Sequence, residues 1–494
     1  MRQKIGLIGG PVIFFLVILL PQASGLSREG KTVLATAFLM ALWWITEALP
    51  IAATALLPLA IFPLMRVAAV PEVSGSYMDP NIVLFMGGFF LAMSIQKWNL
   101  HKRVALWIIY WMGTNLQRMV LGFMIATAFL SMWVSNTATA IMMLPIGTAV
   151  IMRLSESGLS RKSKFPVVLM LAIAYAASIG GVTTLIGTPP NIVFAAQFAS
   201  LFPDRPDVSF AKWLTIGLPF TLLYLPLAWI YLTRIYSSVE KVSFQASRGI
   251  ITQEIAKLGV MGRGEKATAF IFTLTALGWI FRKDLSMGTF VIPGWAPLLG
   301  VSNYVHDSTV AMISSLILFS TPVDWKNREF LLDWDWAKRI PWGILILFGG
   351  GIALAKGFQT SGLATWVATG LEWFDGVPVI VLIVLTSALL SFLTELTSNT
   401  ATTTIFLPIL AATASSFEVS PELLMIPATI SASCAFMLPV ATPPNAIVFA
   451  SEYLTIADMA KAGIWMNLIG VLITTLIVST IGTQIFEFPF LSLF

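Results

Sequence analysis

Phe129–Thr139 reads FLSMWVSNTAT, and Phe392–Thr402 reads FLTELTSNTAT. The two stretches lie 263 residues apart. The same offset carries LFMGGFFLA (84–92) onto LFGGGIALA (347–355), and Leu144-Pro145 onto Leu407-Pro408. A further pair, TPPN at 188–191 and at 442–445, is offset by 254 residues. The shortfall of nine matches the longer basic loop 153–165 of the first copy. Four matches in the same order in two halves mean an internal repeat.

The repeats sit in an apolar chain. Of 494 residues, 57% are hydrophobic and 11% charged, against about 25% charged in soluble proteins. A mean hydropathy of +0.86 indicates a polytopic membrane protein rather than a soluble, disordered or fibrous one. Cys434 is the one cysteine, so no intrachain disulfide or Cys metal cluster can form. His101 and His306 alone are too few for a zinc enzyme without clustered carboxylates. A net charge of +5 points to basic cytoplasmic loops, with no nucleic-acid partner. Arg2 and Lys4 before an apolar run resemble a signal peptide, but PQASGLS offers no convincing cleavage site. An uncleaved first helix is expected.

A span needs about 20 apolar residues. Eleven are expected, near 5–21, 31–47, 50–66, 81–97, 166–203, 212–234, 267–281, 305–321, 341–358, 422–456 and 463–486. Two further blocks, 119–152 and 377–416, are too long for one crossing and break at polar centres. These read as re-entrant hairpins. Alternating sides from an inside N-terminus puts 21 of the 29 Lys and Arg inside and 8 outside, as the positive-inside rule requires. Counting either hairpin as a crossing spoils that split. The first hairpin then opens from inside, the second from outside, and the C-terminus lies outside. Segments 98–114 and 359–374 mix charge with Trp, Leu and Val. They predict interfacial amphipathic helices, with ordinary loops as the alternative.

The expected fold is thus an all-α polytopic membrane protein with about eleven transmembrane helices and two re-entrant hairpins in two inverted repeats. The first repeat is 1–236, with scaffold spans 1–114, hairpin and broken helix 115–203, and closing span 212–236. A cytoplasmic linker, 237–266, follows. The second repeat is 267–494, with scaffold spans 267–374, hairpin and broken helix 375–456, and closing span 463–486. Inverted repeats with broken helices are the architecture of secondary transporters.

The polar breaks carry the chemistry. Ser135-Asn136-Thr137 and Ser398-Asn399-Thr400 supply N-cap residues at hairpin tips. A helix start offers free N–H groups and partial positive charge, which suits a carboxylate. GTPPN (187–191) and ATPPN (441–445) interrupt helices with paired prolines. Their freed carbonyls are hard oxygen ligands suited to Na⁺. No Lys or Arg lies at these breaks. A buried dianion would then need bound cations, since helix ends supply only about half a charge each. A single such motif reads as a cap or a kink; duplication at matching positions favours a site.

With these paired SNT and PPN motifs the chain resembles the divalent anion–sodium symporter family, the sodium-coupled di- and tricarboxylate transporters, over nearly its whole length. The resemblance implies a homodimer in a bacterial plasma membrane, with a fixed scaffold and a transport part that moves like an elevator. It implies Na⁺ as coupling ion, without an organic cofactor, and import of small dicarboxylates of the succinate, malate and fumarate class. Its first sodium site corresponds to Ser131, Ser135, Asn136 and the Gly187 carbonyl. Its second corresponds to Thr394, Asn399 and the carbonyls of Thr397 and Ala441. Substrate carboxylates would meet Asn136 and Thr137 at one end and Asn399 and Thr400 at the other, with Thr188 and Thr442 close by. Thr397 stands where the family often has a smaller residue, but only its carbonyl is used. The family also holds cation-independent exchangers and carriers of citrate or sulfate, so these remain alternatives.

Ser131 and Ser135, like Thr394 and Ser398, are four apart and are expected on one helix face. Glu395 has Met132 as its counterpart. It is either a hairpin-stabilising hydrogen-bond partner or a support for a cation site. Glu47, His101 and His306 read as interfacial or surface residues. The Gly87-Gly88 and Gly349–Gly351 runs read as close helix packing. An intramembrane hydrolase lacks an Asp pair, a Ser–His pair or a metal motif, and an ATP-driven pump lacks GxxxxGK[ST].

Overall fold

The computed structural model describes residues 2–113, 115–160, 163–237, 239, 245–287, 290–370, 377–417 and 419–485. Parts of both expected interfacial segments (114 and 371–374), the linker residues 238 and 240–244, and the end of the second repeat (486–494) lie outside these. The described residues form helices and two small antiparallel β-ribbons that the sequence reading did not anticipate. They pair Leu285–Met287 with Phe290–Ile292, and Pro322–Asp324 with Glu329–Phe330. The linker also carries a helix, Gln245–Leu258.

Among the described residues six helical stretches are long and apolar enough to cross a membrane. Five are expected spans: Arg2–Leu19, Val70–Lys97, Phe210–Tyr236, Trp342–Thr360 and Ile456–Ile485. The sixth, Asn136–Glu156, is the second arm of the first hairpin. The expected span 50–66 departs most. It forms two pieces, Ile51–Thr54 and Leu57–Leu64, because Pro58, in the first turn of the second piece, lacks the N–H that would bond the Thr54 carbonyl. The longer piece rises only about 12 Å, well short of a bilayer core of about 30 Å.

Each hairpin is two helices joined by a short turn. The first has arms Leu116–Ser131 and Asn136–Glu156; the second has arms Val379–Leu393 and Asn399–Ser416. Each broken helix is also two pieces. These are Phe165–Gly181 with Pro189–Leu201, and Glu422–Ala432 with Pro443–Phe449. The first arm of each hairpin packs on the first half of its own repeat's broken helix. The second arm packs on the second half of the other repeat's broken helix. This exchange brings all four breaks to one place.

Close helix approach explains the glycine runs. A Cβ on Gly349 would lie 2.3 Å from the Tyr77 ring, and one on Gly350 would lie 2.3 Å from the Ala55 carbonyl. The expected segment 98–114 contains the helix Leu100–Met112. It buries His101 (8% exposed), whose Nδ1 lies 3.0 Å from the Ile95 carbonyl, so the expectation of a surface histidine is corrected. His306 caps the helix Asp307–Ser320 through a reciprocal capping box with Thr309. Asp307 is buried in an ion pair with Arg282 and accepts from the Phe210 N–H at 2.7 Å.

Candidate functional site

The first hairpin turns because Ser135 leaves helical geometry (φ −55°, ψ 144°) and caps the next helix, its Oγ accepting from the Ala138 N–H at 3.3 Å. Ser131 is the last residue of the preceding helix. The two serines therefore flank the break and do not share a continuous helix face, which corrects the expectation from their spacing. Ser131 Oγ instead donates to Asn136 Oδ1 at 2.6 Å.

The second hairpin repeats this almost atom for atom. Ser398 caps the helix from Asn399, with Oγ 3.5 Å from the Ala401 nitrogen. Thr394 sits at the C-cap of the preceding helix and donates to Asn399 Oδ1 at 2.6 Å. Its hydroxyl also lies 3.1 Å from the Ala432 carbonyl. Thr397 Oγ1 is occupied with the Leu393 carbonyl and with Thr402, at 3.0 and 2.6 Å. At both tips the first-turn N–H groups have no carbonyl four residues back to bond.

The paired prolines do something other than end a helix. Pro189-Pro190 and Pro443-Pro444 occupy the first two positions of the second half-helices, after Thr188 and Thr442 as N-caps. Proline fits there because its missing N–H would be unpaired anyway. The break itself is the loop before them, 182–187 in one repeat and 433–441 in the other. Prolines leave these helix starts poor in N–H donors, whereas the SNT starts keep theirs. The SNT tips thus favour anions, and the loops before TPPN present carbonyls.

All of this converges on one cavity of about 480 Å³. Its wall includes Ser135, Asn136 and Thr137 from the first tip, and Thr397 to Thr400 from the second. Gly187 with Thr188, and Ala441 with Thr442, complete it from the two breaks. Of the residues singled out from sequence, Ser131 and Thr394 are fully buried behind the wall, each holding an asparagine. Arg2 and Glu47 also reach the wall, one base and one acid, so they add no net charge against a dianion.

The profile of the sodium:sulfate symporter transmembrane region matches residues 3–487. The chain belongs to this symporter family. Among its relatives is the "Sodium-dependent dicarboxylate transporter SdcS" of Staphylococcus saprophyticus, 46% identical, covering 96% of this chain and 91% of the relative. The same-named transporter of Staphylococcus aureus strain bovine RF122 is 45% identical, covering 96% and 90%. Two solved structures share the fold at low identity. The Alcanivorax borkumensis YdaH transporter has a TM-score of 0.61 at 16% identity, covering 92% of this chain and 99% of that one. Neisseria gonorrhoeae MtrF has 0.56 at 14%, covering 87% and 85%.

Three features of this symporter-family chain escaped the sequence reading or were left open by it. Asn191 and Asn445, the last letters of the two TPPN motifs, are fully buried and hold the loops before them. Their duplication was a signal that the prolines overshadowed. Glu395 is 3% exposed and accepts from the backbone N–H groups of Phe436, Met437 and Leu438 at 2.7, 2.9 and 3.1 Å. Asn467 Nδ2 adds a bond at 2.8 Å. Glu395 thus staples the second tip to the second break. The third is Arg2, whose approach to the cavity depends on how the first helix packs and has no local sequence signature.

Proposed function

We propose that this chain is a secondary active transporter that imports small dicarboxylates together with sodium. The observation that carries the reading is the single cavity shared by both SNT tips and both TPPN breaks. Two helix starts rich in N–H groups suit the two carboxylates of one substrate. Asn136 and Thr137 hold one carboxylate, and Asn399 and Thr400 the other, with Thr188 and Thr442 beside them. The first sodium ion takes Ser131, Ser135, Asn136 and the Gly187 carbonyl. The second takes Thr394, Asn399 and the carbonyls of Thr397 and Ala441. The relatives named as sodium-dependent dicarboxylate transporters support substrate and ion alike.

Alternating access in this reading is an elevator motion of hairpins and broken helices against the remaining spans, in a homodimer. The repeats are inverted, with the N-terminus inside and eleven crossings. Ion pairs support the sidedness. Lys97–Asp333 and Arg103–Glu265 join loops assigned inside. Arg205–Glu422, at 2.8 Å, joins the outside loop 203–212 to the chain just after the second hairpin. Had that hairpin crossed, these two residues would be assigned to opposite faces. Labelling of single cysteines in a Cys434→Ser background checks this. A Ser157→Cys probe that reacts from outside overturns it.

The deciding experiment is uptake of radiolabelled succinate into proteoliposomes, with and without a sodium gradient and with and without internal dicarboxylate. Uptake driven by the gradient alone is expected. Uptake that needs internal dicarboxylate and ignores sodium would make the protein an exchanger. Inhibition by sulfate and none by unlabelled malate would overturn the substrate class.

A further inference from the structure

Asn191 and Asn445 expose no surface, and their amides face matched partners. Asn191 Nδ2 lies 2.7 Å from the Thr184 carbonyl and 3.2 Å from those of Gly181 and Val182. Asn445 Nδ2 lies 3.0 Å from the Leu438 carbonyl and 3.2 Å from that of Ala435. Gly181 and Ala435, and Thr184 and Leu438, are related by the same 254 residues as the asparagines. In both repeats, then, one side-chain amide gathers carbonyls at matched positions of the break.

The end of each loop returns to the same acceptor. The Gly187 N–H donates to the Thr184 carbonyl at 3.3 Å, and the Ala441 N–H donates to the Leu438 carbonyl at 3.2 Å. Gly187 and Ala441 are the residues whose own carbonyls line up as cation ligands in the proposed function. Each is therefore one shared carbonyl away from a buried asparagine amide. Among the described residues Asn191 Oδ1 and Asn445 Oδ1 have no hydrogen-bond partner. A buried acceptor left unpaired costs about 1–3 kcal/mol. That cost is borne twice, at matching positions, and in both cases it leaves the NH₂ group on the loop carbonyls. Turning the amide over would set an oxygen against those carbonyls.

We propose that Asn191 and Asn445 are the positioning residues of the two cation sites, each fixing the loop that presents the Gly187 or the Ala441 carbonyl. The inference rests on the reading that these carbonyls bind sodium. Groups that orient metal ligands change affinity about 10- to 100-fold when removed, because a carbonyl free to turn no longer points at the ion. Asn191 acts on the first site and Asn445 on the second.

The test is the sodium dependence of succinate uptake by Asn191→Ser and Asn445→Ser in proteoliposomes, together with Ser131→Ala and Thr394→Ala. Each asparagine variant is expected to need at least tenfold more sodium for half-maximal uptake. Its succinate KM at saturating sodium should stay within about threefold of the wild type. A merely structural loss would lower the amount of active protein and leave both constants alone. Asn191→Ser and Ser131→Ala should combine less than additively, since both disable one site, whereas Asn445→Ser with Ser131→Ala should add. If Ser131→Ala leaves the sodium requirement unchanged, the sodium-site reading itself fails. If Ser131→Ala raises it and Asn191→Ser does not, the positioning role is overturned. Asn191→Gln keeps the amide on a longer arm; should the serine variant not fold, the same sodium loss is expected of it.

Discussion

The two halves of the site make the same bonds with different supports. In the first repeat the broken helix ends in glycines. A Cβ on Gly180 would lie 2.3 Å from the Ala128 carbonyl, and one on Gly181 would lie 2.4 Å from Asn136 Oδ1. A Cβ on Gly187 would lie 2.4 Å from the Gly181 carbonyl. The equivalent residues of the second repeat are Cys434, Ala435 and Ala441, which carry those Cβ atoms. There polar bonds join the hairpin to the broken helix. Ser391 donates to the Cys434 carbonyl at 2.9 Å, Thr394 approaches the Ala432 carbonyl, and Glu395 gathers three backbone N–H groups. The first tip is held by close backbone approach and by one hydrogen bond, from the Thr184 hydroxyl to the Met132 carbonyl, and the second by a larger set of hydrogen bonds. One constellation of Asn, hydroxyl and carbonyl can thus be set by packing or by polar staples.

The largest expected effect ignores this difference. Asn136 and Asn399 each accept a hydroxyl hydrogen on Oδ1 at 2.6 Å and line the cavity. Losing one hydrogen bond to a charged group costs about 1.5–3 kcal/mol, roughly ten- to over a hundredfold in affinity. Asn136→Ala and Asn399→Ala should each weaken sodium and succinate binding together while the protein stays folded. Calorimetric or scintillation-proximity binding with the purified variants measures both. Wild-type affinity for both ligands in both variants would remove the shared role of the two amides.

Gly181→Ala separates the halves. The new methyl must displace the Asn136 amide or the helix end, a strain of about 1–3 kcal/mol. Sodium affinity should fall about tenfold, with succinate affinity following at limiting sodium. Sodium-dependent thermal shift is a direct measure. An unchanged sodium requirement would mean that the first site accommodates the methyl that Ala435 already carries in the second.

This asymmetry also marks where the sequence stopped being legible. The repeat, the hairpins and the SNT caps follow from local chemistry: apolar runs, polar interruptions and N-cap residues at a fixed offset. The convergence of Asn136, Asn399, Gly187 and Ala441 on one cavity followed from the repeat logic. The division of span 50–66 depended on one residue, Pro58, whose missing donor the apolar pattern does not register. Whether Ser131 faces Ser135 or Asn136 depended on where the helix ends, within one residue. Glu395 had no counterpart in the repeat, and its partners lie 41 to 43 residues further on in the backbone and 72 further on at Asn467, so spacing could not identify them.

Glu395→Gln tests the polar half more gently. Glutamine offers one carbonyl oxygen where the carboxylate offered two, and it turns an NH₂ toward backbone donors. The expected loss is about 1.5 kcal/mol of stability from weakened charge-assisted bonds. The apparent melting temperature in detergent should fall, and sodium should restore less of it than in the wild type. Met132→Gln, at the equivalent position of the first repeat, should shift melting far less. Equal shifts would show that the second tip does not depend on its staple.

The smallest effect is expected where the second half is given the first half's residues. Ala435 is fully buried and Ala441 is 6% exposed. Changing either to glycine removes one methyl and loosens the backbone, for about 0.5–1 kcal/mol. The loop stays clamped, because Asn445 holds the carbonyls of residues 435 and 438 through main-chain atoms that glycine retains. Thr394 and Glu395 still tie the tip to the break. Sodium affinity should therefore stay within about twofold in Ala435→Gly and Ala441→Gly, while Gly181→Ala at the mirrored position loses about tenfold. The sodium titration of uptake compares the three in one assay. If Ala435→Gly proves as damaging as Gly181→Ala, the methyl of Ala435 is itself a packing element of the second site, and the contrast between a packed half and a stapled half does not hold.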